Sequence, residues 1–227
     1  MLLDINPAKV TNFLYQEPSK VLVGAPRSVT ARTYRNRRYV GLVVPDSVLR
    51  VGRSLRDCLH VRATFQRFFD GLDWIETDYL SLYERRYKRQ QLLRNDGTTF
   101  DDFRRKKLDR YDQIFADMKA NGFQEAQSLE DNVEIAWCAD GQTLLIDGRH
   151  RLAFAQILGL PRIPVVANLI SEQRVASLAD PSGFLKQQLE SYKIKERLKL
   201  FDVVEGGKRN KGLLVNPNRS LFQLNRG

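Results

Sequence analysis

The residue types best suited to chemistry lie together in one short run, Asp147-Gly148-Arg149-His150-Arg151. Two guanidinium groups supply forked N–H donors that match phosphate oxygens, and the imidazole between them can donate or exchange a proton near neutral pH. Gly148 lacks a Cβ, so its backbone can approach an oxygen-rich ligand closely. A helix starting here would add unpaired backbone N–H groups and a partial positive charge, both favourable to an anion. These features together describe a phosphate cradle. The same residues also read as a plain strand-to-helix turn, with Asp147 as the N-cap and the arginines facing solvent.

Phosphoryl chemistry needs a carboxylate that orients or deprotonates the accepting hydroxyl. Asp147 is nearest in sequence, and Glu84 lies on a basic helical wall where it could equally pair with Lys88 at i+4. Glu134 alternates with Val133 and Ile135, so it faces the other side of a strand, toward either solvent or a site. Two Cys without a CxxC and two His, His60 and His150, cannot complete a four-ligand zinc site without carboxylates. Cys58 and Cys138 are far apart in sequence and fit reduced, partly buried thiols.

The elements that must position these residues follow from periodicity. Val133, Ile135 and Trp137 alternate as in a half-buried strand, Asp140-Gly141 forms a hairpin turn, and Thr143–Ile146 is the returning strand. The elbow follows, then a helix over 152–158 closed by Gly159, then a strand over 164–170. Upstream, Val61, Phe65, Phe68, Phe69 and Leu72 have helical spacing, and a second helix runs from about Glu76 to Leu93 with Tyr79, Leu80, Tyr83 and Tyr87 on one side. Thr99 with Asp102 three residues on marks the start of a third helix, which has a stripe of Leu108, Tyr111, Phe115 and Met118 and a stop at Asn121-Gly122. Residues 1–58 hold short strand signals at Val21–Val23 and Tyr39–Val44 and the basic run RTYRNRR over 32–38. After Ile170 come helices over 172–178 and 184–200 and a glycine-containing basic tail, GGKRNKG, from Gly206, which reads as a flexible arm.

The stretch DGRHRLAFAQILGLPRIPVVANLI, with YDQIFADMKANGFQEAQSLEDNVEIAWCADGQTLL before it, resembles the nucleotide-binding part of the ParB/sulfiredoxin superfamily over about residues 108–170. The corresponding elbow reads Gly-Cys-His-Arg in sulfiredoxins and Gly-Glu-Arg-Arg in partition proteins. A looser likeness, over FFDGLDWIETDYLSLYERRYKRQ, is to ParB-like proteins encoded near glycan-biosynthesis genes. The resemblance implies an α+β fold: a ParB/sulfiredoxin-like core with a small mixed sheet and packed helices. With the local patterns on either side, the chain divides into four expected segments: a β-rich extension over 1–58, the helical segment and nucleotide-binding core over 59–170, C-terminal helices over 171–205 and the basic tail over 206–227. Gly148, His150 and Arg151 are then expected on the nucleotide phosphates, joined by Arg149. Arg149 stands where sulfiredoxin has its catalytic Cys, so sulfinic-acid reduction, which needs that thiol, is not expected. The expected activity is phosphoryl transfer from ATP or ADP to a hydroxylated or phosphorylated small molecule such as a glycan precursor, or nucleotide hydrolysis. CTP is a further candidate nucleotide and Mg²⁺ the expected ion, with Glu84 and Asp147 as catalytic carboxylates.

Composition bounds the alternatives. The chain has 227 residues, 42% of them hydrophobic, enough to build a core and too apolar for a disordered tail. No run approaches the roughly 20 apolar residues that span a bilayer, and Asp4, Asn6 and Pro7 interrupt any secretory h-region, so a soluble cytoplasmic protein is expected. The formal charge of +10 attracts polyanions. Nucleic-acid binding, or nuclease activity, is therefore the competing expectation, resting on RTYRNRR and the basic tail.

Overall fold

A computed structural model describes residues 3–15, 41–88, 99–124, 132–184, 201–205 and 208–212. Its strands are β1 (Leu3–Ile5), β2 (Asn12–Leu14), β3 (Leu42–Val44), β4 (Val51–Ser54), β5 (Val133–Trp137), β6 (Thr143–Asp147), β7 (Ile163–Ser171), β8 (Phe201–Glu205) and β9 (Lys208–Gly212). The helices are α1 (Leu59–Phe68), α2 (Asp78–Lys88), α3 (Phe100–Phe103), α4 (Asp109–Asn121), α5 (Arg149–Ile157) and α6 (Glu172–Ala176). The fold is mixed α+β. Seven strands make one mixed sheet in the order β1-β7-β5-β6-β2-β4, and β3 pairs with the far end of the nine-residue β7.

β7 organises this sheet. Its first residues pair antiparallel with β1, Leu3 opposite Val165, and its last pair parallel with β3, Leu42 opposite Leu169. Its other edge runs parallel to β5. β5 and β6 form the antiparallel hairpin expected at Asp140-Gly141, where Gly141 has φ +82°. β2 then continues the sheet parallel to β6, so the N-terminal strands are built into the same sheet as the elbow. A strand buried on both faces needs no polar alternation, and β5 and β7 accordingly carry apolar residues on both sides.

One face packs on helices. Val133, Ile135, Leu145, Val165 and Ala167 meet Val61, Met118, Leu152 and Phe154 from α1, α4 and α5. The other face collects Leu14, Val44, Val48, Ala136, Cys138, Leu144 and Leu169. A third cluster joins the helices to one another: Ala63, Trp74, Tyr79, Tyr83, Phe103 and Leu108. Phe68 stacks on Phe115 with ring centroids 4.2 Å apart and meets Phe154 edge-on at 5.2 Å. Asp112 ties these helices by accepting from Trp74 Nε1 at 2.8 Å and from Arg67 Nε at 3.1 Å. Both cysteines are buried thiols.

Helix boundaries follow local chemistry. Thr99 Oγ1 accepts from Asp102 N, the cap expected there. The run then passes through a π-helical turn over Arg104–Leu108 before α4. The extra residue of such a turn rotates everything after it, and π-turns cluster near functional sites. Two expectations change. The helix after the elbow begins at Arg149 rather than Leu152, because Gly148 takes a left-handed φ of +84° and the chain enters helical geometry at the next residue. The GGKRNKG tail is not a free arm throughout: Lys208–Gly212 pairs antiparallel with Phe201–Glu205 as a two-stranded ribbon. The strand signal at Val21–Val23, the RTYRNRR run and the helix beyond Phe184 lie outside the described residues. No helix among the described residues is long and apolar enough to cross a membrane.

Candidate functional site

Three helix N-termini converge on the elbow. His60 is the second residue of α1, Tyr79 the second of α2 and His150 the second of α5, and Tyr111 joins them from the first turn of α4. Side chains in a first helical turn lean back toward the N-terminus, so rings placed there meet where the helix ends meet. His150 stacks on Tyr111 with centroids 4.3 Å apart, lies 5.9 Å from His60 and 6.1 Å from Tyr79, and its Nε2 is hydrogen-bonded to the Tyr79 hydroxyl. His60 and Tyr79 meet edge-on at 5.6 Å.

This convergence concentrates positive potential. Each free helix N-terminus carries about half a unit of positive charge. Neither α1 nor α5 has an acidic residue in its first turn or a side chain capping its N–H groups. The α2 end differs: its first-turn acid, Asp78, is paired with Arg62 at 2.7 Å, and its first N–H groups are capped, Asp78 N by Gln66 Oε1 at 2.9 Å and Tyr79 N by Thr77 Oγ1 at 3.2 Å. The first bond inside α5 runs from Leu152 N to Gly148 O, so the N–H groups of residues 149–151 precede the helical ladder. Arg149 is half-buried in this field, and no carboxylate among the described residues pairs with it. An unpaired cation at the positive end of a helix is unfavourable unless an anion joins it.

The other elbow residues occupy distinct places. Gly148 is the N-cap itself, so Asp147 is not; its Oδ1 instead accepts from Gly148 N at 2.9 Å. A Cβ on Gly148 would stand 2.8 Å from Val133 Cα and 3.0 Å from Asn132 O. The glycine is thus required by the packing of the elbow on β5 and by its positive φ, and the close approach expected of a ligand is made here by the protein's own backbone. Arg151 lies over the Phe123 ring at 4.4 Å and donates to Gln124 O, which fastens the end of α4 to the elbow.

His150 does not behave as the proton exchanger expected from its type. Burial, then the charge of Arg149 and the neighbouring His60, lower its pKa to about 3, so the ring is neutral at physiological pH. The Tyr79 hydroxyl shifts the opposite way: burial first, then Tyr111, raise it well above the ordinary phenol value, and it stays protonated.

The carboxylates separate. Asp147 is half-buried at the elbow and stands opposite Glu134 in the β5–β6 register. Glu134 is 1% exposed and accepts from Asn168 Nδ2 at 2.6 Å, while Asn168 Oδ1 is buried without a donor. Glu84 is exposed, five residues beyond Tyr79 and so about 140° around α2 from the face that meets His150. The structure does not bring it to the elbow. Among the described residues no three His, Cys, Asp or Glu side chains are close enough together to hold a metal ion.

Sequence reasoning located the elbow and missed its surroundings. Tyr79 and Tyr111 read as members of apolar stripes, and His60 entered only as a zinc ligand to be counted. The available signal was positional: His60, Tyr79 and His150 are each the second residue of a helix, and each carries an aromatic ring with a polar atom. Compared with protein-family models, with curated proteins and with solved structures, the chain finds no match.

Proposed function

We propose that this chain is a nucleotide-binding protein with a ParB/sulfiredoxin-like core that transfers a phosphoryl group from ATP or ADP to a hydroxyl acceptor such as a glycan precursor, or hydrolyses the nucleotide. The observation that carries this reading is the meeting of the uncapped α1 and α5 N-termini at the elbow beside Arg149, a half-buried guanidinium with no carboxylate partner among the described residues. Such a site is electrostatically incomplete without an anion. The order of strand, left-handed glycine, helix and strand from β6 to β7 also agrees with the resemblance read in the elbow.

In this reading the N–H groups of residues 149–151 and the Arg149 guanidinium hold phosphate oxygens and balance charge that grows during transfer. Arg151, engaged by Phe123 and Gln124, acts mainly by fixing the elbow. Asp147 replaces Glu84 as the preferred carboxylate for orienting the acceptor hydroxyl, because it is already at the elbow. Mg²⁺ would be held chiefly by the phosphates, with Asp147 the nearest protein ligand.

A second reading, nucleic-acid binding, is favoured by one observation: the basic KRNK run lies on the β8–β9 ribbon, and a two-stranded ribbon is an element that a major groove admits. Thermal shift with ATP, ADP and CTP, repeated with Arg149→Gln, separates the two. Nucleotide stabilisation that disappears in the variant supports the first. DNA binding that falls steeply with salt, without any nucleotide shift, supports the second.

A further inference from the structure

A neutral imidazole can offer an anion only one N–H, and which nitrogen carries it is set by the partner of the other. Nε2 of His150 meets the Tyr79 hydroxyl, whereas Nδ1 has no partner among the described residues and is not among the buried polar atoms that lack one. Tyr79 is also hydrogen-bonded to Tyr111. The phenol has one proton to give and two neighbours. Imidazole nitrogen is a far better acceptor than a phenol oxygen, and the phenol a better donor than a neutral imidazole N–H, since phenol ionises near pH 10 (about 10 in free tyrosine). Of the two, the imidazole is the stronger acceptor, so the favoured wiring at His150 runs from Tyr79 O–H to His150 Nε2.

We infer that Tyr79 is a positioning residue that fixes His150 in the tautomer carrying its proton on Nδ1, so that the elbow presents an N–H donor to the phosphate beside the Arg149 cation. The role in binding rests on the phosphate reading of the elbow; the tautomer does not. The groups facing His150 are His60 from the start of α1, Tyr79 from α2, Tyr111 from α4 and Arg149 from α5 itself. The charge beside the ring, on Arg149, is positive and opposes a second proton there. His150 itself accordingly adds no pH dependence to anion affinity across neutral pH, unlike an imidazolium.

Nitrogen-15 NMR of the full chain labelled at histidine tests this directly, because there are only two histidines and His60→Gln assigns the spectrum. The expected result is a protonated Nδ1 and an unprotonated Nε2 on His150 from pH 5 to 8, with the Nδ1 signal moving on titration with inorganic phosphate or ADP. In Tyr79→Phe the single tautomer is lost and affinity for both probes falls roughly tenfold, the scale of one hydrogen bond, while Tyr79→His, which keeps a ring donor, recovers part of it. A proton on Nε2, or an imidazolium at pH 6, overturns the inference. A fixed Nδ1–H tautomer in a chain that binds neither probe overturns its binding half and the phosphate reading with it, leaving the Tyr79–His150 wiring in place.

Discussion

Arg149→Gln separates a residue kept for a ligand from one kept for the fold. Arginine and glutamine have similar helix propensity, so the exchange removes charge with little change in backbone preference. Arg149 is the first residue of α5, where a cation opposes the helix dipole by about 0.3–1 kcal/mol when exposed and up to about 2 when partly buried. It is half-buried and has no carboxylate partner among the described residues. Removing it should stabilise the anion-free chain by about 1 kcal/mol, which for a protein of this size raises Tm by about 2–4 °C. The order reverses with ligand. An anion at about 100 times its Kd stabilises wild type by about 2.7 kcal/mol, and the variant should lose most of that gain. Urea unfolding at low ionic strength, with and without ADP, reads both effects. A variant less stable than wild type without ligand would refute the reasoning, since Arg149 would then have a structural partner.

Other consequences are more local. Gly148→Ala places a Cβ 2.8 Å from Val133 Cα at a left-handed φ, so about 2–5 kcal/mol of stability should be lost in chemical denaturation. Asn168→Ala leaves the Glu134 carboxylate buried without its 2.6 Å donor and should cost about 2–3 kcal/mol, with Glu134→Gln partly suppressing the loss in a double-mutant cycle. Below neutral pH, His150 takes up a proton more readily unfolded than folded, its pKa falling from 6.5 to about 3 on folding. Stability is therefore full above about pH 6.5 and declines as pH drops toward 3, and His150→Gln should flatten that part of the curve.

How much of this was legible beforehand depended on range. The β5–β6 hairpin, Gly141, the Thr99 cap and the stop at Gly122 follow from a few adjacent residues and stand where periodicity and turn chemistry put them. The start of α5 differed by three residues because a left-handed glycine can replace a side-chain cap. What could not be read was contact across the chain. Tyr79 and His150 are 71 residues apart, and only the packing of α1, α2 and α4 around α5 brings them together. The same holds for Glu134: alternation placed it off the helical face, but only its partner Asn168 on β7 shows that this face is buried too. The carboxylates at 84 and 147 looked equivalent in sequence, and helix geometry alone separated them.

The most direct measurement is calorimetric titration of the full chain with ADP and with a short DNA duplex at physiological salt. The expected result is one nucleotide per chain at pH 8, with binding lost in Arg149→Gln. Tight duplex binding with no heat from ADP would contradict it.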